Sequence, residues 1–149
     1  MVGRLALAAL LGAFIGIERE IRGYPAGVRT IALVALGSAL FTEVSTITGT
    51  EDRIAAGIVS GIGFLGAGLI FREGYTVRGI TTAATVWAAA AIGMAVAREL
   101  YVVGGLGALL VFILLEARPV VRRLEAFILS LGRELVLREE EHDQDHDRR

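Results

Sequence analysis

The sequence predicts an all-α integral membrane protein, a bundle of about five transmembrane helices followed by a cytoplasmic amphipathic helix. Three observations carry that expectation. Of 149 residues, 54% are hydrophobic, and the mean hydropathy of +0.64 exceeds what a soluble domain of this length usually shows. The charged residues gather in a few clusters that separate apolar runs. Glycines recur inside those runs, most densely at Gly57, Gly61, Gly63, Gly66 and Gly68 in the stretch 52–87. In a water-exposed helix each would cost roughly 1 kcal/mol against alanine. In a bilayer the backbone has no water to bond to, so the helix persists, and small residues let a neighbouring helix approach closely.

The first helix is expected over 2–17, apolar apart from Arg4 and carrying the contact pattern Gly12-x-x-x-Gly16. At ~1.5 Å per residue this run spans only ~24 Å of a ~30 Å hydrocarbon core. It must therefore borrow residues as far as Glu20 or begin upstream of Met1. A signal peptide fits less well, because no small-x-small cleavage site follows and further membrane segments do. A charged connection broken by Gly23, Pro25 and Gly27 leads to helix two over 30–48. Helix three is expected over 54–71, a polar loop over 72–79, helix four over 80–96 and helix five over 101–115. Beyond Pro119, Val120, Leu124, Phe127, Ile128, Leu131 and Leu135 recur at helical spacing opposite Arg122, Arg123, Glu125, Arg133 and Glu134. From Glu139 the chain reads as a solvated, disordered acidic tail, with His142 and His146 set among aspartates. The expected organisation is a transmembrane domain over 1–117, an amphipathic helix over 118–138 and the tail over 139–149.

Arginine placement gives an orientation. Arg19, Arg22, Arg29, Arg72, Arg78, Arg118, Arg122 and Arg123 fall on one side of a five-span arrangement, and Arg4, Arg53 and Arg98 on the other. Eight against three places the N-terminus outside and the C-terminus in the cytoplasm of a bacterial inner membrane. The arginines border apolar segments and form no single basic face, so nucleic acid is not an expected partner.

The chain has no cysteine, which excludes disulfides, cysteine zinc sites and thiol chemistry. No nucleophile–base–orienter set, phosphate-binding loop or HExxH motif is present, so an enzyme is not expected. Gly61-x-Gly63-x-x-Gly66 formally matches a dinucleotide fingerprint, but it lies mid-helix instead of between a strand and a helix.

What remains are polar groups at membrane depth. Glu18, near the end of helix one, is placed to reach Arg29 or Arg78, as an interfacial anchor or as a functional group. Glu43, Glu51 and Asp52 would make an acidic outer mouth able to attract Mg²⁺, which favours carboxylate oxygens. Asp52 also has a simpler role as the N-cap of helix three. Thr81, Thr82 and Thr85 begin helix four, where their hydroxyls can cap it or bond across to helix three. Trp87 is expected either to anchor at the interface or to pack on the glycine face of helix three.

Several blocks resemble a known family. Asp52-Arg53-Ile54-Ala55-Ala56, Ser60-Gly61-Ile62-Gly63-Phe64-Leu65-Gly66-Ala67-Gly68 and Val77-Arg78-Gly79-Ile80-Thr81-Thr82-Ala83-Ala84-Thr85-Val86-Trp87 are similar to the signature of the MgtC/SapB family. Gly12 to Glu20 and Ala26-Gly27-Val28-Arg29-Thr30 resemble its first two blocks. The resemblance covers roughly residues 5–115. It implies a bacterial inner-membrane protein associated with magnesium limitation and, in some members, with intracellular survival and restraint of the membrane ATP synthase. The positions it carries over are Glu18, Arg29, Asp52, Arg53, Arg78 and Thr81. Gly57 stands where relatives often have glutamine, Thr81 where the family's namesake has asparagine, and Ala88 where it has cysteine. The namesake also carries a folded cytoplasmic domain that nothing in this sequence matches.

The leading expectation is a regulatory membrane protein that docks its helices against another complex, such as ATP synthase or a transport system. It is expected to form a homodimer or higher homo-oligomer through Gly12, Gly16, Gly57, Gly61, Gly63, Gly66, Gly68 and Trp87, or through the amphipathic helix. The alternative is a Mg²⁺, cation or small-solute transporter using the membrane-embedded carboxylates.

Overall fold

The computed structural model describes residues 1–117, and the expected amphipathic helix and acidic tail lie outside the described residues. The elements are α1 (Val2–Ile21), α2 (Val28–Thr48), α3 (Glu51–Gly68), a hairpin of β1 (Phe71–Glu73) and β2 (Thr76–Arg78), α4 (Ile80–Ala97) and α5 (Tyr101–Glu116). Met1–Ile113 form one packed unit and a second begins at Leu114; the contacts described below lie within the first.

Helix α1 extends through the charged segment to Ile21, and its 20 residues give ~30 Å, the length the apolar run alone lacked. It stops where Gly23 turns to φ +72, with the Gly23 and Tyr24 amides donating to the Glu20 and Arg19 carbonyls at 3.0 and 2.9 Å. The α4–α5 turn closes the same way. The Glu99 and Leu100 amides donate to Val96 and Ala95, but the left-handed position is Glu99 itself, at φ 62. A non-glycine residue there costs roughly 1–2 kcal/mol, and the Glu99 carboxylate is held by Arg4 at 2.9 Å.

Two expectations about the middle of the chain are corrected. Helix α3 begins a turn earlier and ends three residues sooner than the apolar run implied, because Thr50 is its N-cap position and Glu51 and Asp52 form its first turn. Carboxylates there face the positive end of the helix dipole, so Asp52 is not the cap. The expected polar loop is a two-stranded antiparallel hairpin in which Glu73 pairs with Thr76 across Gly74–Tyr75. Gly74 at φ +61 supplies the positive angle such a two-residue loop requires.

The helices alternate in direction. Arg4 of α1 meets Glu43 of α2 and the end of α4, Arg19 of α1 meets Thr82 at the start of α4, and Arg98 meets Glu51 at the start of α3. The rings of Phe14 (α1) and Phe112 (α5) stack at 4.6 Å. The buried apolar residues are mostly alanine, with Ala8, Ala39, Val96 and Ala97 forming a core cluster against which Leu5, Leu7 and Leu11 pack. Small side chains bring helix axes close, as in membrane bundles. Large apolar side chains point outward instead, including Leu10, Leu33, Phe41, Phe64 and Leu110. Among the described residues two helices, α2 and α4, are long and apolar enough to cross a membrane, and α5 is a shorter apolar helix.

Candidate functional site

The polar residues singled out from the sequence divide between two opposite ends of the bundle, because α3 runs unbroken for 18 residues, ~27 Å. Glu18, Arg29, Arg78, Thr81 and Thr82 sit at one end; Glu43, Glu51, Asp52 and Arg53 sit at the other.

The first end is organised by Arg19, which is 1% exposed. Its Nη2 donates to Thr82 Oγ1 at 2.6 Å and its guanidinium lies 3.7 Å from the centre of the Tyr24 ring. A desolvated cation on an aromatic face and one short hydrogen bond join α1, the α1–α2 turn and α4 at one point. Glu18, also buried, pairs through Oε1 with Arg22 Nε at 2.7 Å, one helical turn away, and not with Arg29 or Arg78. Glu18 Oε2 has no hydrogen-bond partner among the described residues. Arg78 instead faces Glu73 across the exposed hairpin at 3.6 Å. Glu20 Oε2 accepts from the Val28 amide at 2.8 Å, capping α2, whose own N-cap position is Gly27. A Cβ on Gly27 would stand 2.6 Å from that carboxylate oxygen, so a larger residue there would displace the Glu20 cap. The threonines behave differently from expectation. Thr82 bonds to α1 and not to α3, Thr85 donates back to the Thr81 carbonyl at 2.7 Å, and α4 has no side-chain cap.

At the second end the acidic mouth is not formed. Glu43 is 7% exposed and its Oε1 is 3.0 Å from Arg4 Nη1, while Arg4 also reaches Glu99 and the Ala97 carbonyl. Glu51 faces Arg98 at 3.5 Å, and Asp52 is exposed on the first turn of α3. Each of the first two carboxylates already has a guanidinium, and among the described residues no three His, Asp or Glu side chains gather as a metal site. Among the described residues Glu43 and Glu51 thus belong to two separate ion-pair clusters, at the α1–α2–α4 and α3–α4 corners.

The glycines also divide. A Cβ on Gly12 would lie 2.7 Å from the Ile31 carbonyl oxygen, and one on Gly16 would lie 2.6 Å from Val28 Cα, so the first pair is where α1 and α2 touch backbone to backbone. A Cβ on Gly66 would lie 3.5 Å from Ala83 Cβ of α4, an ordinary contact. Gly57, Gly61, Gly63 and Gly68 have nothing within 4 Å. Trp87, half exposed, lines a hollow of about 190 Å³ with Ile58, Val59 and Ile62 of α3, beside the glycine rows and not on them.

Residues 5–124 match the model of the MgtC family. The chain belongs to the MgtC family. A Synechocystis protein described as uncharacterized is 46% identical over 128 residues, which covers 84% of this chain and 53% of that protein. Proteins named MgtC from Salmonella typhimurium and Brucella abortus are 58% and 55% identical over 92 and 93 residues, each match covering 60% of this chain and 40% and 39% of theirs. The chain thus spans about half or less of the length of these relatives. No solved structure matches it.

Seen as an MgtC-family chain, the residue that sequence reasoning missed is Arg19, set aside as part of a charged connection. The signal was present: Ala8, Gly12, Ile15 and Arg19 follow one another at three- and four-residue steps and, with Gly16 beside them, are all buried, so the packed face of α1 ends on Arg19. Gly93 was missed as well. A Cβ there would run into the Ala35 carbonyl oxygen, making it the closest α2–α4 approach among the described glycines. Of the three positions expected to differ from relatives, Gly57 and Thr81 are exposed and Ala88 is half-buried.

Proposed function

We propose that this MgtC-family chain is a five-span protein of the bacterial inner membrane, with its N-terminus outside, that acts in adaptation to Mg²⁺ limitation by docking against another membrane complex. The observation that carries the reading is the state of α3. Gly66 and Ile58 are its only buried residues among those described, and the row Ala56, Ser60, Gly63 and Ala67 on the side away from α4 is exposed along its whole length. A row of small side chains lets a second helix come close enough for van der Waals contact, which is the main attraction available between helices in hydrocarbon. The arginines support the orientation, since Arg19, Arg22, Arg29, Arg72 and Arg78 lie at one end of the bundle and Arg4, Arg53 and Arg98 at the other. The family resemblance favours ATP synthase or a transport system as the partner, and a second copy of the chain is the homo-oligomeric version of the same contact.

The test is affinity capture of the full chain from native membranes, as wild type and as Gly63→Leu. Recovery of a membrane complex with the wild type and its loss with the variant is the expected result. Recovery of this chain alone, in both cases as a monomer, would sink the docking reading.

A further inference from the structure

We infer that the open groove between α2 and α3 binds an anionic glycerophospholipid, with an acyl chain lying in the groove and the phosphate held by Arg53. The two helices are joined by the short Gly49–Thr50 turn and leave between them a groove of about 700 Å³. Its walls are almost wholly apolar, with Leu33, Gly37 and Phe41 on one side and Ile54, Gly57 and Gly61 on the other. Arg53 is the one charged residue lining it, in the first turn of α3.

Pairing and position together set Arg53 apart, because it lines the groove and has no carboxylate partner among the described residues. Arg4, Arg22, Arg78 and Arg98 each face a carboxylate. Arg53 is exposed and makes no hydrogen bond or ion pair among the described residues. The neighbouring Asp52 is turned ~100° around the helix. A hydrocarbon trough with one unpaired guanidinium at its end has the polarity of a phospholipid, and guanidinium binds phosphate through two parallel N–H···O bonds.

The groove is long enough for an acyl chain: from Thr30 to Phe41 it follows eleven helical rises, ~17 Å. Gly57 and Gly61, with nothing within 4 Å of an added Cβ, keep the α3 wall low. The groove faces away from the Ala56–Ser60–Gly63–Ala67 row, so the site rests on the bilayer placement proposed above but not on the docking face.

The test titrates the purified full chain in detergent with phosphatidylglycerol and reads bound lipid by native mass spectrometry. Arg53→Gln should weaken retention about fivefold, the scale of one exposed charged contact. Gly61→Phe, which fills the groove where there is room for the ring, should abolish it without lowering the melting temperature. Arg29→Gln, which removes an arginine that also lacks a carboxylate partner among the described residues but does not line the groove, should leave retention unchanged. Equal retention by wild type, Arg53→Gln and Gly61→Phe would overturn the groove as the site. Equal retention of diacylglycerol and phosphatidylglycerol would overturn the role of Arg53. Loss of a dimer in Gly61→Phe with lipid retention intact would give the groove to a second copy. Absence of lipid from every sample would likewise overturn the site while leaving the bilayer placement untouched.

Discussion

Helix α3 and the α1–α2–α4 layer are built from the same small residues and use them in opposite ways. In the layer, Gly12, Gly16 and Gly93 sit where two backbones touch, and a single added carbon would collide with a main-chain atom. In α3, four of five glycines face open space. The layer also owns the buried Arg19, whereas the ion pair that α3 makes with the end of α4, Glu51–Arg98, is peripheral. A glycine-rich helix therefore does not announce contacts within its own chain. Three small residues in α1 and α4 hold the bundle together, and those of α3 are free for something outside it.

Gly93→Ala should produce the largest effect that this contrast implies. The new methyl has no way past the Ala35 carbonyl without separating α2 from α4, and overpacking of that kind costs about 3 kcal/mol or more. Thermal unfolding in detergent, followed by circular dichroism, should show a large fall in melting temperature or no folded protein. A variant that melts with the wild type would mean the layer is as loosely packed as α3.

Arg19→Met should come next. It leaves the Thr82 hydroxyl without its 2.6 Å donor and removes the cation from the Tyr24 ring, together worth about 2 kcal/mol. Arg78→Met, removing half of the exposed Arg78–Glu73 pair on the hairpin, should cost less. Equal losses in the two unfolding curves would show that Arg19 acts as an ordinary rim charge and not as the pin of the layer.

Much of this was legible from the sequence. The helix order, four of five helix starts to within about two residues, and the Gly12–Gly16 contact follow from apolar run length and small-residue spacing. The polar sites were less legible, for a physical reason. Whether Glu43 is a ligand or half of an ion pair depends on Arg4, 39 positions earlier, arriving at the same depth on another helix. Local pattern encodes which face a residue occupies, not which charge stands opposite it. The hairpin was hidden because Phe71–Glu73 and Thr76–Arg78 are too short to show an alternation, and only Gly74 marked the turn.

The smallest effect is the most discriminating. Gly63→Ala adds one methyl to α3 at a position with nothing within 4 Å, so the isolated protomer should not lose stability and should gain up to about 1 kcal/mol from helix propensity. Gly12→Ala makes the same chemical change where the methyl would lie 2.7 Å from the Ile31 oxygen, and it should destabilise in every environment. Comparing the two in monomeric detergent and again in native membranes separates intrachain from interchain packing. If Gly63→Ala is harmless in detergent but lowers the melting temperature in membranes, a neighbouring helix lies against that row. If it is harmless in both, α3 faces lipid alone and the docking face must lie elsewhere. A loss in detergent equal to that of Gly12→Ala would break the contrast at its root, because α3 would then be packed within its own chain.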